Sequence, residues 1–356
     1  MHGKTRAAFL IPGDLSLPTG GYTYDRRVLP LLAAEDLDVT HIELPAAYPD
    51  PSSADLAQTA DIVCALPPGI VLLIDGLAYG AMPEHLIREF DRPIVALCHH
   101  PLALEEGLSP SRRAELQASE TTALALSQAV IVTSPSIRRL LVRDFGVSVD
   151  RIAVAVPGTD PAPRSHGTND PLQLLAVGSI VPRKGYDWLI KALARLTDCN
   201  WHLTIAGALD RSPETAVELR ALVRATGLND RVTFMGAVLG ERLSQLYSAA
   251  DVFVMSSLFE GYGMVLAEAM ANGLPIVCTT GGAAAETAPD EAALKVAPAD
   301  DAVLADAIRT MISRLDIRAA MADASWRAGL ALPRWEDTAR IIAGVIRNAA
   351  IRKAKA

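Results

Sequence analysis

Apolar, β-rich runs alternate with amphipathic stretches along the whole chain, which is the sequence form of parallel sheets joined by crossover helices. In the first half AAFLIPG, VTHIELP, IVLLIDG, PIVALCHH and AVIVTS read as strands, with helices between them at 24–35, 54–65, 83–90 and 111–127. The stretch VPGTDPAPRSHGTNDP, 156–171, is rich in Pro, Gly and Asp without periodicity and reads as a linker. The pattern then restarts, with LQLLAVGS, WHLTIAGA, RVTFMG, DVFVMSS and PIVCTT as strands and helices at 186–196, 214–225, 240–249 and 264–272. A last helix spans Trp335 to Arg347, after Pro333. The count predicts an α/β protein of two doubly wound, Rossmann-like domains facing each other across a cleft, with ligands at the carboxyl ends of the strands. The expected boundaries are 1–165, 166–332 and, for the final helix, 333–356.

Composition narrows the picture. The 356 residues exceed one ordinary core, and at 50% hydrophobic and 21% charged they are globular in character. A net charge of -8 argues against general nucleic-acid binding, which needs a basic face. The acidic excess lies early, since residues 1–165 carry 13 Lys and Arg against 20 Asp and Glu. Cys64, Cys98, Cys199 and Cys278 stand apart in apolar segments, so buried free thiols in a reducing, cytoplasmic compartment are expected. No apolar run reaches the length of a signal peptide or a membrane span, which leaves membrane contact peripheral at most.

The densest chemistry lies in SSLFEGYGMVLAEAMANGLPIVCTTGGAAAE, 256–286. Glu260 and Glu268 bracket a glycine-broken turn that opens a short helix. Gly261 and Gly263 let backbone N–H groups approach a ligand, and the helix start is an anion site. Gly273 and Pro275 end the helix, and PIVCTT follows as a buried strand. Two acidic residues at a helix start are also what the helix dipole favours without any ligand.

This segment resembles the signature of the retaining glycosyltransferases with the GT-B fold, family four (glycosyl transferases group 1): a Glu, seven residues and a second Glu, set here in FEGYGM…EAMANGLPIV. The resemblance spans nearly the whole chain, strongly in the second domain and loosely in the first. It implies that Glu260 contacts the transferred sugar, that the N–H groups of Gly263, Met264 and Val265 hold the distal phosphate, and that Glu268 binds the nucleoside ribose. It also implies that the final helix crosses back to the first domain.

In VGSIVPRKGYDW the family has GR and, several residues later, KG, whose Arg and Lys bind the diphosphate. Lys184 matches the Lys. Ser179 stands where the Arg would be, and Arg183 is the candidate substitute, although a solvated helix start would also read R-K-G. Gly281, Gly282 and Glu286 fall where the family often has a Gly-Gly pair and a nucleotide-proximal Glu; a flexible loop is the other reading. Asp251 reads as a turn residue.

In the first domain Gly20 and Gly21 follow the first strand and precede a helix, where N–H groups can reach a phosphate; the resemblance places Gly21 near the diphosphate. Tyr22 and Tyr24 either line the cleft or pack. CHHP ends a strand, so His99 and His100 diverge, with His99 favoured for the cleft over a capped or core histidine. Asp75 holds the place of a family His and either accepts the acceptor's proton or forms an Asp-Gly turn.

The implied enzyme is a metal-independent hexosyltransferase without a cofactor. It moves a hexose from a nucleotide-diphosphate sugar, UDP-glucose-like or GDP-mannose, to a hydroxyl of a small-molecule or lipid-linked acceptor. A nucleotide-sugar 2-epimerase and a non-catalytic sugar-nucleotide binding protein are the alternatives.

Overall fold

The computed structural model describes residues 4–167 and 170–354. The chain divides into two compact units, residues 1–158 with 333–356, and residues 159–332. The division falls a few residues before the expected 165/166. Ser165 is bonded into the second unit, its N–H donating to Asn272 O at 2.8 Å and its hydroxyl to Ala250 O at 2.7 Å.

The first unit holds a parallel sheet of β1 (Thr5–Pro12), β2 (Leu37–Leu44), β3 (Val71–Asp75), β4 (Ile94–Cys98), β5 (Ala129–Val132) and β6 (Ile152–Val154), in the order β2-β1-β3-β4-β5-β6. Every residue of β3 and β4 is buried, as expected of central parallel strands covered on both faces. The second unit holds β7 (Leu172–Val177), β8 (Trp201–Ala206), β9 (Val232–Gly236), β10 (Val252–Met255), β11 (Ile276–Thr279) and β12 (Ala293–Val296), in the order β12-β11-β10-β7-β8-β9. The period-2 alternation of a strand divides its continuous apolar run between two cores. In β10, Val252 and Val254 enter one hydrophobic cluster while Phe253 and Met255 enter the other.

Each order reverses once, between β1 and β3 in the first unit and between β7 and β10 in the second. Crossovers leave on opposite faces there, opening a crevice at the strand carboxyl ends. The chemistry lies in the loops that follow these strands.

Several elements differ from expectation. Gly20 and Gly21 are the first two residues of the helix Gly20–Leu32, not a loop before it. Thr19 starts the helix early because its hydroxyl accepts the Tyr22 N–H at 3.2 Å. β6, β12 and the helices Pro135–Asp144, Asp301–Ser313 and Leu315–Leu330 were not anticipated, and the last helix extends to Ala354. That helix belongs to the first unit: Trp335 is 5% exposed and meets the Tyr24 ring edge-on at 5.7 Å, and Thr338 Oγ1 donates to Val156 O at 2.7 Å. Buried thiols are found only for Cys98 and Cys278. Cys64 is exposed on the outer side of the helix Ser53–Ala65, and Cys199 is half-buried.

Candidate active site

In the second unit, the loop after β7 and the loop after β10 meet through charge. Lys184 Nζ donates to Glu260 Oε1 at 2.6 Å, and Arg183 Nη1 lies 3.6 Å from Glu260 Oε2. Arg183 also donates to Phe259 O at 2.7 Å, and Leu258 N–H donates back to Arg183 O at 2.8 Å, so the two loops are laced by backbone as well. Burial by itself would raise the Glu260 carboxyl, but Lys184 and then Arg183 outweigh it and hold it at about 2. The glutamate is ionised and the two cations converge on it, so both basic residues are partners of Glu260 and not a solvated helix start.

A third loop supports this pair. Glu260 N–H donates to Gly281 O at 3.2 Å and Ala283 N–H to Glu260 O at 2.8 Å. Gly282 has φ +64°, and a Cβ there would run into Glu260 O. The glycine pair is therefore a fitted brace for Glu260, not a flexible loop. Glu286 lies in the short helix Ala284–Thr287 that follows. Asp251 has the structural role read from sequence, with Oδ2 accepting Gln173 N–H at 2.7 Å.

Gly263 caps the helix Met264–Ala271, whose first turn contains Met264 and Val265 and has no side-chain cap and no acidic residue. Leu266 N–H bonds back to Gly263 O at 2.9 Å, and no side chain caps the N–H groups ahead of it. Glu268 lies one turn further along. Tyr247, 3% exposed and absent from the sequence reading, donates its hydroxyl to Glu268 Oε2 at 2.6 Å. Burial raises the Glu268 carboxyl, and the tyrosine bond and Lys184 oppose that shift.

The first unit carries its own cluster. His99 Nε2 lies 3.0 Å from Asp25 Oδ1 and 3.4 Å from Asp75 Oδ2, and Asp75 Oδ1 accepts Leu77 N–H at 2.8 Å as the cap of the helix Gly76–Tyr79. Asp75 thus combines the turn role with a charged contact. His100 faces Glu105 at 3.7 Å, so the two histidines do diverge. Tyr22 and Tyr24 pack inward, their hydroxyls donating to Pro12 O at 2.5 Å and Ala155 O at 2.9 Å. Asp25 was also missed; its only sequence signal is its place one helical turn after Gly21. Among the described residues, Asp25, Asp75 and His99 are the one grouping whose ligand atoms, all within 4.8 Å of one another, could hold a metal ion. One imidazole N–H facing two carboxylates accounts for the same geometry without one.

Two Rossmann-like units, each with its chemistry at the carboxyl ends of its parallel strands, define a GT-B protein. Residues 67–163 match the family Glycosyltransferase Family 4 and residues 171–314 match Glycosyl transferases group 1. Mannosylfructose-phosphate synthase of Agrobacterium fabrum is 35% identical over 43% of this chain and 38% of its own length. A D-inositol 3-phosphate glycosyltransferase of Xylanimonas cellulosilytica is 29% identical over 74% of this chain and 68% of its own. In structure, sucrose-phosphate synthase of Thermosynechococcus elongatus matches with TM-score 0.83 at 24% identity, covering 97% of this chain and 98% of that one. HepE of Anabaena in complex with UDP-glucose matches with TM-score 0.70 at 18% identity, covering 99% and 100%. The chain belongs to the family-four glycosyltransferases, glycosyl transferases group 1, with the GT-B fold.

Proposed function

We propose that this chain transfers a hexose, with retention of configuration, from a nucleotide-diphosphate sugar to a hydroxyl of a small acceptor. A UDP-glucose-like donor is favoured over GDP-mannose. The observation that carries the reading is the convergence of Lys184, Arg183 and Glu260 beside the open helix start at Gly263, with Glu268 one turn away. That set answers a sugar nucleotide piece by piece. The cations and N–H groups take the diphosphate, Glu268 the ribose and Glu260 the sugar. HepE, named in complex with UDP-glucose, supports the uridine donor.

In the step itself the bond from the anomeric carbon to the phosphate oxygen breaks and the acceptor oxygen bonds to that carbon on the same face. The acceptor's proton passes to the departing phosphate oxygen. The protein's contribution is electrostatic and positional: Lys184 stabilises charge that grows on the diphosphate only as the bond breaks. The cations take the place of a metal, so turnover persists in EDTA.

Calorimetry with UDP and GDP, followed by turnover of UDP-glucose over an acceptor panel with the product's anomeric configuration read by NMR, tests the reading. Binding of UDP and acceptor-dependent UDP release support it. A chain that binds neither nucleotide, or that converts the donor equally without acceptor, overturns it.

A further inference from the structure

The histidine of the first unit is held by more than its strand end. Asp25 comes from the helix Gly20–Leu32, Asp75 from the end of β3 and His99 from the end of β4, so the three converge at the point where this sheet reverses its order. Asp25 is fully buried, and its Oδ2 has no hydrogen-bond partner. Burial pushes its carboxyl up to about 7 against the opposing pull of His99, so the ionised form there depends on an opposite charge, since desolvation without one costs several kcal/mol. The imidazole 3.0 Å away is the group that can supply it. Tyr24 meets the ring edge-on at 5.0 Å, and a Cβ at Gly21 would stand 3.3 Å from its Cδ2. Glycine at 21 therefore leaves the ring room beside the helix that carries Asp25. The His99 side chain keeps 18% of its surface exposed, enough for a ligand to reach it.

We propose that Asp25 is a positioning residue for the sugar-transfer reaction. With Asp75 it pins Nε2–H of His99 and fixes the ring as an imidazolium whose Nδ1–H is offered to an oxygen of the bound substrate. The proposal rests on the sugar-transfer reading only for the identity of that oxygen, a sugar hydroxyl or a phosphate. Both carboxylates engage Nε2, so Nδ1 is the ring nitrogen neither of them occupies. Protonated, it donates; in a neutral ring with Nε2–H fixed, it could only accept. The charged groups facing the ring are Asp25 and Asp75; Tyr24 faces it as an aromatic edge, and His100 turns to Glu105. Burial on its own would lower the His99 pKa, yet the two carboxylates outweigh it and move it up.

The test has two arms. In the first, the protein with 15N-labelled histidine is titrated by NMR without substrate, and His99 is assigned by its loss in His99→Gln. We expect an imidazolium that persists at pH 8 in the native chain and becomes neutral there in Asp25→Asn. In the second, the pH profile of kcat/KM with the sugar nucleotide is compared. Its alkaline limb should move down by about one pH unit or more in Asp25→Asn, because one of two anions stabilising the ring is gone. His99→Gln should remove that limb. Native His99 titrating near the ordinary value of about 6.5, or an Asp25→Asn profile superimposing on the native one, overturns the proposal. So does native activity that EDTA abolishes and zinc restores, which would make the trio a cation site. Should the chain turn over no sugar nucleotide at all, the first arm still reads the His99 charge, so failure of the transfer reading is distinguishable from failure of this one.

Discussion

Among single residues the Lys184–Glu260 pair decides most, because both members are largely buried and each is the other's nearest charge. In the proposed transfer Lys184 stabilises the charge that develops on the diphosphate, so in Lys184→Ala kcat should fall by roughly a hundredfold to a thousandfold with a smaller loss of donor affinity. Arg183→Ala, which leaves Lys184 in place, measures how much of the role Arg183 shares. Near-native kcat in Lys184→Ala would remove the lysine from the leaving-group site. The same pair sets an acid limit. Glu260 is depressed in the folded chain, so its contribution to stability is present above its unfolded value and is lost as pH falls from about 4.5 toward about 2. Lys184→Met should flatten that acid loss in thermal melts between pH 5 and pH 3.

Glu268→Ala should weaken donor binding by about tenfold to a hundredfold in calorimetry, the equivalent of about 1.5 to 3 kcal/mol of charged hydrogen bonding. Tyr247→Phe should cost only a few-fold, since the tyrosine orients Glu268 without replacing it. Equal affinity in Glu268→Ala would detach that carboxylate from the nucleotide. The two glutamates were legible as candidates because one local pattern, 256–286, contains both, and Lys184 because a second, VGSIVPRKGYDW, contains it. Asp25 and Tyr247 were not, because each acquires its partner only by folding, 74 positions away in one case and 21 in the other.

At the scale of elements, legibility followed burial. A central parallel strand such as IVALC is apolar throughout and announces itself, and the glycosyltransferase helix Met264–Ala271 is framed by Gly263 and Gly273. Leu315–Leu330 has no side-chain cap and exposes Leu315 and Leu330 at its two ends, so neither capping nor a clean apolar face marks it. Loop geometry was also hidden. Gly185 has φ +60°, and a Cβ there would strike Ser256 O, so the turn that delivers Lys184 tolerates only glycine. Gly185→Ala should destabilise by at least about 2 kcal/mol and lower kcat together with it, read by melts and by turnover below the melting range. Native turnover in that variant would show that the turn does not set the lysine.

Glu120 gives a pH prediction at the same scale. Its carboxylate accepts Leu102 N–H at 2.9 Å and so ties the helix Pro110–Leu126 to the short turn Leu102–Leu104. Burial pushes this carboxyl up to about 8. A raised acid contributes stability that is full below its unfolded value and declines as pH rises through its folded one, here from about 4.5 to about 8. Glutamine preserves the acceptor without the charge. The melting temperature of Glu120→Gln minus that of the native chain should therefore climb by several degrees between pH 5 and pH 8. A difference independent of pH would show that Glu120 ionises without cost.

Over the whole molecule, composition and alternation disclosed two α/β units, but not the strand orders, which depend on the face each crossover covers. Nor could they show that the last helix completes the first unit's core, because a helix at the end of a chain carries no mark of the sheet it will cover. With a separate core in each unit, perturbations should remain separable. Trp335 is almost fully enclosed between the Tyr24 ring and the segment at Gly158, so Trp335→Ala should cost about 3 to 5 kcal/mol in the first unit. Hydrogen exchange read by mass spectrometry should accelerate in β1 and in Gly20–Leu32 while β7, β10 and β11 keep native rates. UDP should do the converse, since a ligand at a hundred times its Kd stabilises what it binds by about 2.7 kcal/mol. Slowed exchange should appear at 178–186 and 256–268, where the cations and the helix start lie. Protection reaching 20–22 would add the start of the helix Gly20–Leu32 to the nucleotide's contacts, and protection there without any at 256–268 would move the donor out of the second unit and refute the site assigned to it.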